Sequence, residues 1–139
     1  MNKTDQLGDL LFNINKEIKT KIERDLKPYG IGMGQLQILM LFYANPHKTF
    51  SQNEISTTLN VDKGNISRSV VKLVEHDYIM RHSESLREYQ LAKKGIEFKS
   101  ELMSKFIKLN NIMTLDLDSK ELNQVILTLK KIALNLEEK

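Results

Sequence analysis

Apolar residues recur at helical spacing near both ends of this chain, and the pattern between them alternates between helix and strand periods. From about Thr4 to Leu26, the residues Leu7, Leu10, Leu11, Ile14, Ile18 and Ile22 fall at steps that predict an amphipathic helix. A second long helix is predicted from Asp118, which forms a capping-box pattern with Glu121 and is followed by Leu122, Val125, Ile126, Leu129, Ala133 and Leu136. Neither run is long and apolar enough to cross a bilayer, so both predict packing faces and no membrane partner.

The middle of the chain is richer. Ser51 and Glu54 form another capping-box pattern and open a short helix whose buried stripe is Ile55 and Leu59. Asn60-Val61-Asp62 makes a turn with Val61 directed inward, and Asp62 is placed to cap the next helix. In that second helix Ile66, Val70, Leu73 and Val74 form the core-facing side. The same geometry sets Gly64, Asn65, Arg68 and Lys72 on the opposite face, with Ser67 at its flank. Val71 and Glu75 interrupt that face further along.

A change of period follows. Tyr78–Arg81 and Arg87–Leu91 read as two short strands around the polar tip His82–Leu86, a β-hairpin or wing. Ala92-Lys93-Lys94-Gly95 leads into another helix. Capped helix, tight turn, amphipathic helix and wing in this order are the parts of a winged helix-turn-helix. Its residues suit DNA: Arg bridges two acceptors of guanine and Asn pairs with adenine. Ser and Lys hold phosphate, and Gly64 lets the backbone approach it. Arg68 and Asn65 are therefore expected to read bases, with Lys63, Ser67 and Lys72 on the backbone. Ser51, Gln52 and Asn53 at the preceding helix start are expected on phosphate, and Arg81 and Arg87 on flanking DNA.

Charge agrees with a polyanionic partner. The net charge is +3 and the pI about 9.0, a modest excess concentrated in Lys63, Arg68, Lys72, Arg81, Arg87, Lys93 and Lys94 and diluted by Glu75, Glu84 and Glu88. The chain has no cysteine, which excludes disulfides, thiolate metal sites and thiol-based oxidant sensing, and suits a cytoplasmic location. Met1–Asp5 carries no signal-peptide pattern. Phosphate-loop, nucleophile-elbow and His-Glu-x-x-His motifs are all missing, so no enzyme activity is expected. His47, His76 and His82 are too scattered to specify a metal or a cofactor, and Glu137–Glu138 reads as a solvated tail.

Taken together, these motifs resemble the multiple-antibiotic-resistance regulator (MarR) family of winged-helix transcription factors. The resemblance runs from Gly30-Ile31-Gly32-Met33-Gly34-Gln35-Leu36-Gln37-Ile38-Leu39 through Arg68–Val74 and Tyr78-Ile79 to Leu91–Gly95. It implies a mostly α fold with a small β-wing over 1–139, a winged helix-turn-helix lobe at 30–95 and mainly dimerisation helices at 1–29 and 96–139. Three positions depart from the family pattern. Asp77 stands where the family ends its second helix with glycine, the wing is short and lacks an Asp-Arg-Arg run, and Ala92 replaces a capping threonine.

From pattern alone, the terminal helices could pair within one subunit or between two. The resemblance implies a homodimer, with Leu7, Leu10, Leu11, Ile14, Leu122, Val125, Ile126, Leu129, Ala133 and Leu136 in its interface. Such a dimer would read a two-fold symmetric site on double-stranded DNA and repress by occupancy. It further implies a small aromatic effector; Tyr29, Met33, Phe42, Tyr43 and Phe106 either line its cleft or belong to the ordinary core, and no residue pattern identifies the ligand. The competing reading is a winged-helix protein-protein module, whose outward face should carry aromatic or aliphatic anchors; Gly64, Asn65, Arg68 and Lys72 supply none.

Overall fold

A computed structural model describes residues 6–137; Met1–Asp5, including the predicted helix start at Thr4, and Glu138 of the predicted tail lie outside them. Among the described residues the chain is mostly helical with one small sheet. Helix α1 (Leu7–Leu26) leads through a 3₁₀ turn, Lys27–Tyr29, into α2 (Met33–Ala44). Strand β1 (Phe50–Ser51), α3 (Gln52–Leu59) and α4 (Lys63–Glu75) follow. Then come β2 (Ile79–Arg81), β3 (Glu88–Leu91), α5 (Lys93–Met113) and α6 (Ser119–Leu136). The chain separates into two compact units, with the boundary inside α5 between Glu101 and Leu102.

The first unit is built around α2, whose apolar residues are spread around the helix and mostly buried, while Gln37 and Met40 face solvent. Leu36, Ile38, Leu39, Phe42 and Tyr43 are buried there, together with Ile55 of α3 and Ile66, Val70 and Leu73 of α4. Phe42 meets Phe50 edge-on at 5.3 Å between ring centroids. Helix α4 approaches α2 closely because Gly34 has no side chain: a Cβ there would lie 2.7 Å from Ser69 Oγ. A polar bridge crosses this contact and is complete, since Gln35 accepts from Gly32 N at 2.7 Å and donates to Ser69 Oγ at 3.2 Å.

Two local details correct the expectation for α4. Val74 is 36% exposed, whereas Ser69 is 8% exposed. The close approach of α2 at Gly34 falls on the Ser69 side, so the small Ser69 enters the contact and Val74 rides at its rim. At the C-terminus of α4, Tyr78 N donates to Leu73 O at 2.9 Å and Asp77 N to Val74 O at 3.0 Å. This is a Schellman cap, with Asp77 in the left-handed region at φ 64° and Leu73 and Tyr78 both buried behind it.

The sheet has the order β1-β3-β2 and is antiparallel throughout. Register pairs Phe50 with Tyr89 and Arg81 with Tyr89, so β3 is central. Strand β1 adds a third member to the predicted hairpin. Tyr78 and Arg87 fall just outside the strands: Tyr78 belongs to the cap of α4, and Arg87 lies in the turn. Gly95 lies tight against the sheet, where a Cβ would run into the Tyr78 carbonyl oxygen. The Tyr43 hydroxyl donates to Gly95 O at 2.6 Å, and burial pushes its pKa up to about 12.

In the second unit, Asp118 caps α6 as expected: its carboxylate accepts from Glu121 N at 2.8 Å, while Glu121 accepts from Asp118 N at 3.2 Å. Asp116, at φ 64°, makes the break that precedes it. Several apolar side chains of α6 are exposed in the single chain, among them Val125, Ile126, Leu129 and Leu136. In the first unit the same is true of Leu7, Leu10 and Ile14 on α1. Leu11 and Leu122 are half-buried, and Ala133 is exposed.

Candidate nucleic-acid interface

The local sequence fixes how α3 and α4 begin. Ser51 Oγ accepts from Glu54 N at 3.1 Å and Glu54 accepts from Ser51 N at 3.0 Å, completing the predicted capping box. Asn60 takes the left-handed conformation at φ 54° and ends α3. The turn is then locked by Ser56 Oγ donating to Val61 O at 2.6 Å, with Val61 half-buried. Asp62 caps α4 by accepting from Asn65 N at 2.9 Å.

These anchors aim one face of α4 outward. Lys63, Gly64, Asn65, Arg68 and Lys72 are exposed and Ser67 is half-buried at the flank. On this face Asn65 Nδ2 donates to Asp62 Oδ2 at 2.6 Å, and Arg68 Nη2 donates to Asn65 Oδ1. Lys72 stands apart from that chain of contacts. It lines a cleft of about 570 Å³ with Glu23, Lys27, Gly30–Met33, Gln35, Glu75 and His76.

A second cleft, of about 340 Å³, collects the remaining candidates. Ser51, Gln52 and Asn53 at the start of α3 line it together with Arg81, Arg87 and Tyr89 of the wing. The sequence reading placed five of these six residues on DNA without placing them together; strand β1, by pairing with β3, is what joins them. Arg81 is held by its Nη1 donating to Leu86 O at 2.5 Å and by its guanidinium lying 5.3 Å from the Tyr89 ring centroid. Both arginines are exposed. A helix start and two exposed arginines beside one cleft are surroundings that suit an anion.

Other expectations are redistributed. Phe42 and Tyr43 are buried in the core, the alternative the sequence left open for them. Met33 lines the larger cleft. Tyr29 packs on Phe98 at 5.1 Å and donates to the Glu101 carboxylate; that bond, more than burial, raises its pKa. Phe106 is half-buried in the second unit. Sequence reasoning missed the part Asp62 plays beyond capping, although Asp62, Asn65 and Arg68 stand at successive i,i+3 steps, the spacing at which helix side chains meet. Among the described residues no cluster of His, Asp and Glu is placed to hold a metal ion, and no helix is long and apolar enough to cross a membrane.

The same arrangement is found among known proteins. A model of the MarR family matches residues 29–85. An HTH-type transcriptional regulator, BilQ of Clostridioides difficile (strain CD3), is 29% identical over 126 residues, spanning 88% of this chain and 84% of its own. A MarR transcriptional regulator from Methanosarcina mazei Go1 superposes with a TM-score of 0.77 at 25% identity, covering 93% of both chains. The structure of an S. aureus MepR–DNA complex superposes with a TM-score of 0.76 at 22% identity, covering 98% of this chain and 100% of that one. Family match, regulator relative and winged-helix geometry agree: residues 29–85 match the MarR family model, and the chain has the fold of MarR-family transcriptional regulators.

Proposed function

We propose that this chain is a sequence-specific DNA-binding regulator that works as a homodimer and represses by occupying a two-fold symmetric site. One observation carries the reading: α4 is held on the core by Ile66, Ser69, Val70 and Leu73 while its opposite face leaves Asn65, Arg68 and Lys72 exposed. Helix α4 enters the major groove, where Arg68, with Asn65 beside it, meets base edges and Lys63, Ser67 and Lys72 hold the backbone. The smaller cleft takes a flanking phosphate between the start of α3 and the wing arginines. MepR, which shares this fold, is known in complex with DNA.

Dimerisation follows from the same requirement. One recognition helix makes few contacts, whereas two held about 34 Å apart engage successive major grooves. The apolar residues exposed on α1 and α6 of the single chain supply the surface for a second copy. A small aromatic effector that favoured a different spacing of the two helices would release the DNA. The protein acts in the cytoplasm, beside the DNA it regulates.

Footprinting of the chromosomal region upstream of its own coding sequence tests this reading. Protection of two half-sites related by a dyad, shifted to higher protein concentration by Arg68→Ala substitution, is the expected result. Protection that is uniform along the fragment and insensitive to that substitution would contradict it.

A further inference from the structure

We propose that Asp62 is a positioning residue for base recognition: through Asn65 it fixes the Arg68 guanidinium before DNA arrives. The inference rests on the DNA-reading role proposed above and deepens it.

Asp62 uses its two carboxylate oxygens for different purposes. Oδ1 accepts from Asn65 N at 2.9 Å and caps α4, while Oδ2 accepts from Asn65 Nδ2 at 2.6 Å. With its NH₂ held by a carboxylate, the Asn65 amide turns its oxygen along the helix, and that oxygen accepts from Arg68 Nη2. The polarity runs one way, from acceptor through amide to cation. Gly64 leaves the neighbouring space open: a Cβ there would stand 3.3 Å from Asp62 Oδ1 and 3.4 Å from Arg68 Nη1.

This arrangement assigns different roles to two residues that look alike as readers. An Asn that pairs with adenine on two points needs both its Oδ1 and its Nδ2. In Asn65 one donor and one lone pair are already engaged, by Asp62 and Arg68, which fixes the amide's orientation and makes positioning Arg68 its main contribution to recognition. The guanidinium keeps its remaining donors for a guanine edge, and a side chain already oriented loses less freedom on binding. In water these exposed bonds are weak. Once DNA excludes solvent from the face, they strengthen.

Asp62→Asn separates this role from capping. Asn caps a helix about as well as Asp, so α4 keeps its start. The second acceptor becomes a donor, however, and Asn65 must rotate its amide and turn N–H groups toward Arg68. Two readouts are taken on the full-length protein, with Asn65→Ala alongside. One is the order of the Arg68 guanidinium in the free protein, from nitrogen relaxation. The other is the affinity ratio between a duplex selected from a random pool and the same duplex altered at the base pair whose discrimination Arg68→Ala abolishes. We expect both variants to loosen the guanidinium and Asp62→Asn to lower the ratio about threefold or more. Affinity for a scrambled duplex should not fall, because a negative charge near DNA has been removed. An equally ordered Arg68 in Asp62→Asn would overturn the tether, whatever the DNA results. A loosened Arg68 with unchanged discrimination would overturn its role in recognition. If the wild-type protein selects no sequence, the DNA-reading function itself fails and the recognition role falls with it, while the relaxation data still decide the tether.

Discussion

Arg68 and Lys72 lie on one helix face and were equally visible in the sequence, yet their surroundings give them different work. Arg68 is tied to its neighbours on the outward face, whereas Lys72 stands over a separate cleft. Arg68→Ala should therefore cost about 1–3 kcal/mol of binding and relax base preference at one position. Lys72→Ala should weaken all sequences alike and reduce the salt slope by about one unit, which titrations at several salt concentrations would resolve. Tyr43 gives a prediction about stability. Its hydroxyl ionises near pH 10 in the unfolded chain and at about 12 in the folded one. The unfolded state thus releases its proton first. The stability linked to this group is complete below about pH 10 and is lost as pH rises toward about 12. Urea midpoints across that range should fall for the wild type and fall less steeply for Tyr43→Phe. Outward residues were legible because 100° steps along a helix need no tertiary knowledge. Ser69 and Val74 were not, because which edge of a helix is buried depends on how closely the Gly34 gap lets α2 approach.

At the scale of elements, the helix starts were the most readable features. Ser51 with Glu54 and Asp118 with Glu121 form the predicted boxes because those hydrogen bonds close within four residues. Strand β1 escaped notice for the opposite reason. Two residues have no period to detect, and Phe50 becomes strand only by pairing with Tyr89, far along the chain. The cap at the end of α4 joins both lessons. A family glycine was missing from the sequence, and the backbone keeps the left-handed turn with Asp77 in its place. The burial of Leu73 and Tyr78 and the bond from Lys94 Nζ to His76 O at 2.8 Å hold it there. Asp77→Gly should consequently stabilise the protein by about 0.5–1 kcal/mol, read as a raised denaturation midpoint with an unchanged m-value. A loss of stability on that change would mean that the Asp77 side chain contributes more than its backbone strain costs.

Across the whole molecule, the apolar residues on α1 and α6 matter because a monomer has no evident use for them in water. Their periodicity predicted helices, and the structure shows several of them exposed in the single chain; a second copy as their cover is a proposal that the family resemblance, not the pattern, favours. Substituting Ile126 and Leu129 by Glu should convert a dimer to a monomer in sedimentation and weaken operator binding by about 100-fold or more, because the second half-site contact is no longer intramolecular. The account as a whole stands on dimeric, sequence-selective binding. Its most direct test is a stoichiometric titration of the purified protein against its own upstream DNA at two salt concentrations, with a scrambled duplex beside it. The account predicts saturation at two subunits per site, preference for the natural sequence, and affinity that falls steeply with salt. Equal affinity for both duplexes, or saturation at one subunit per site, would contradict it.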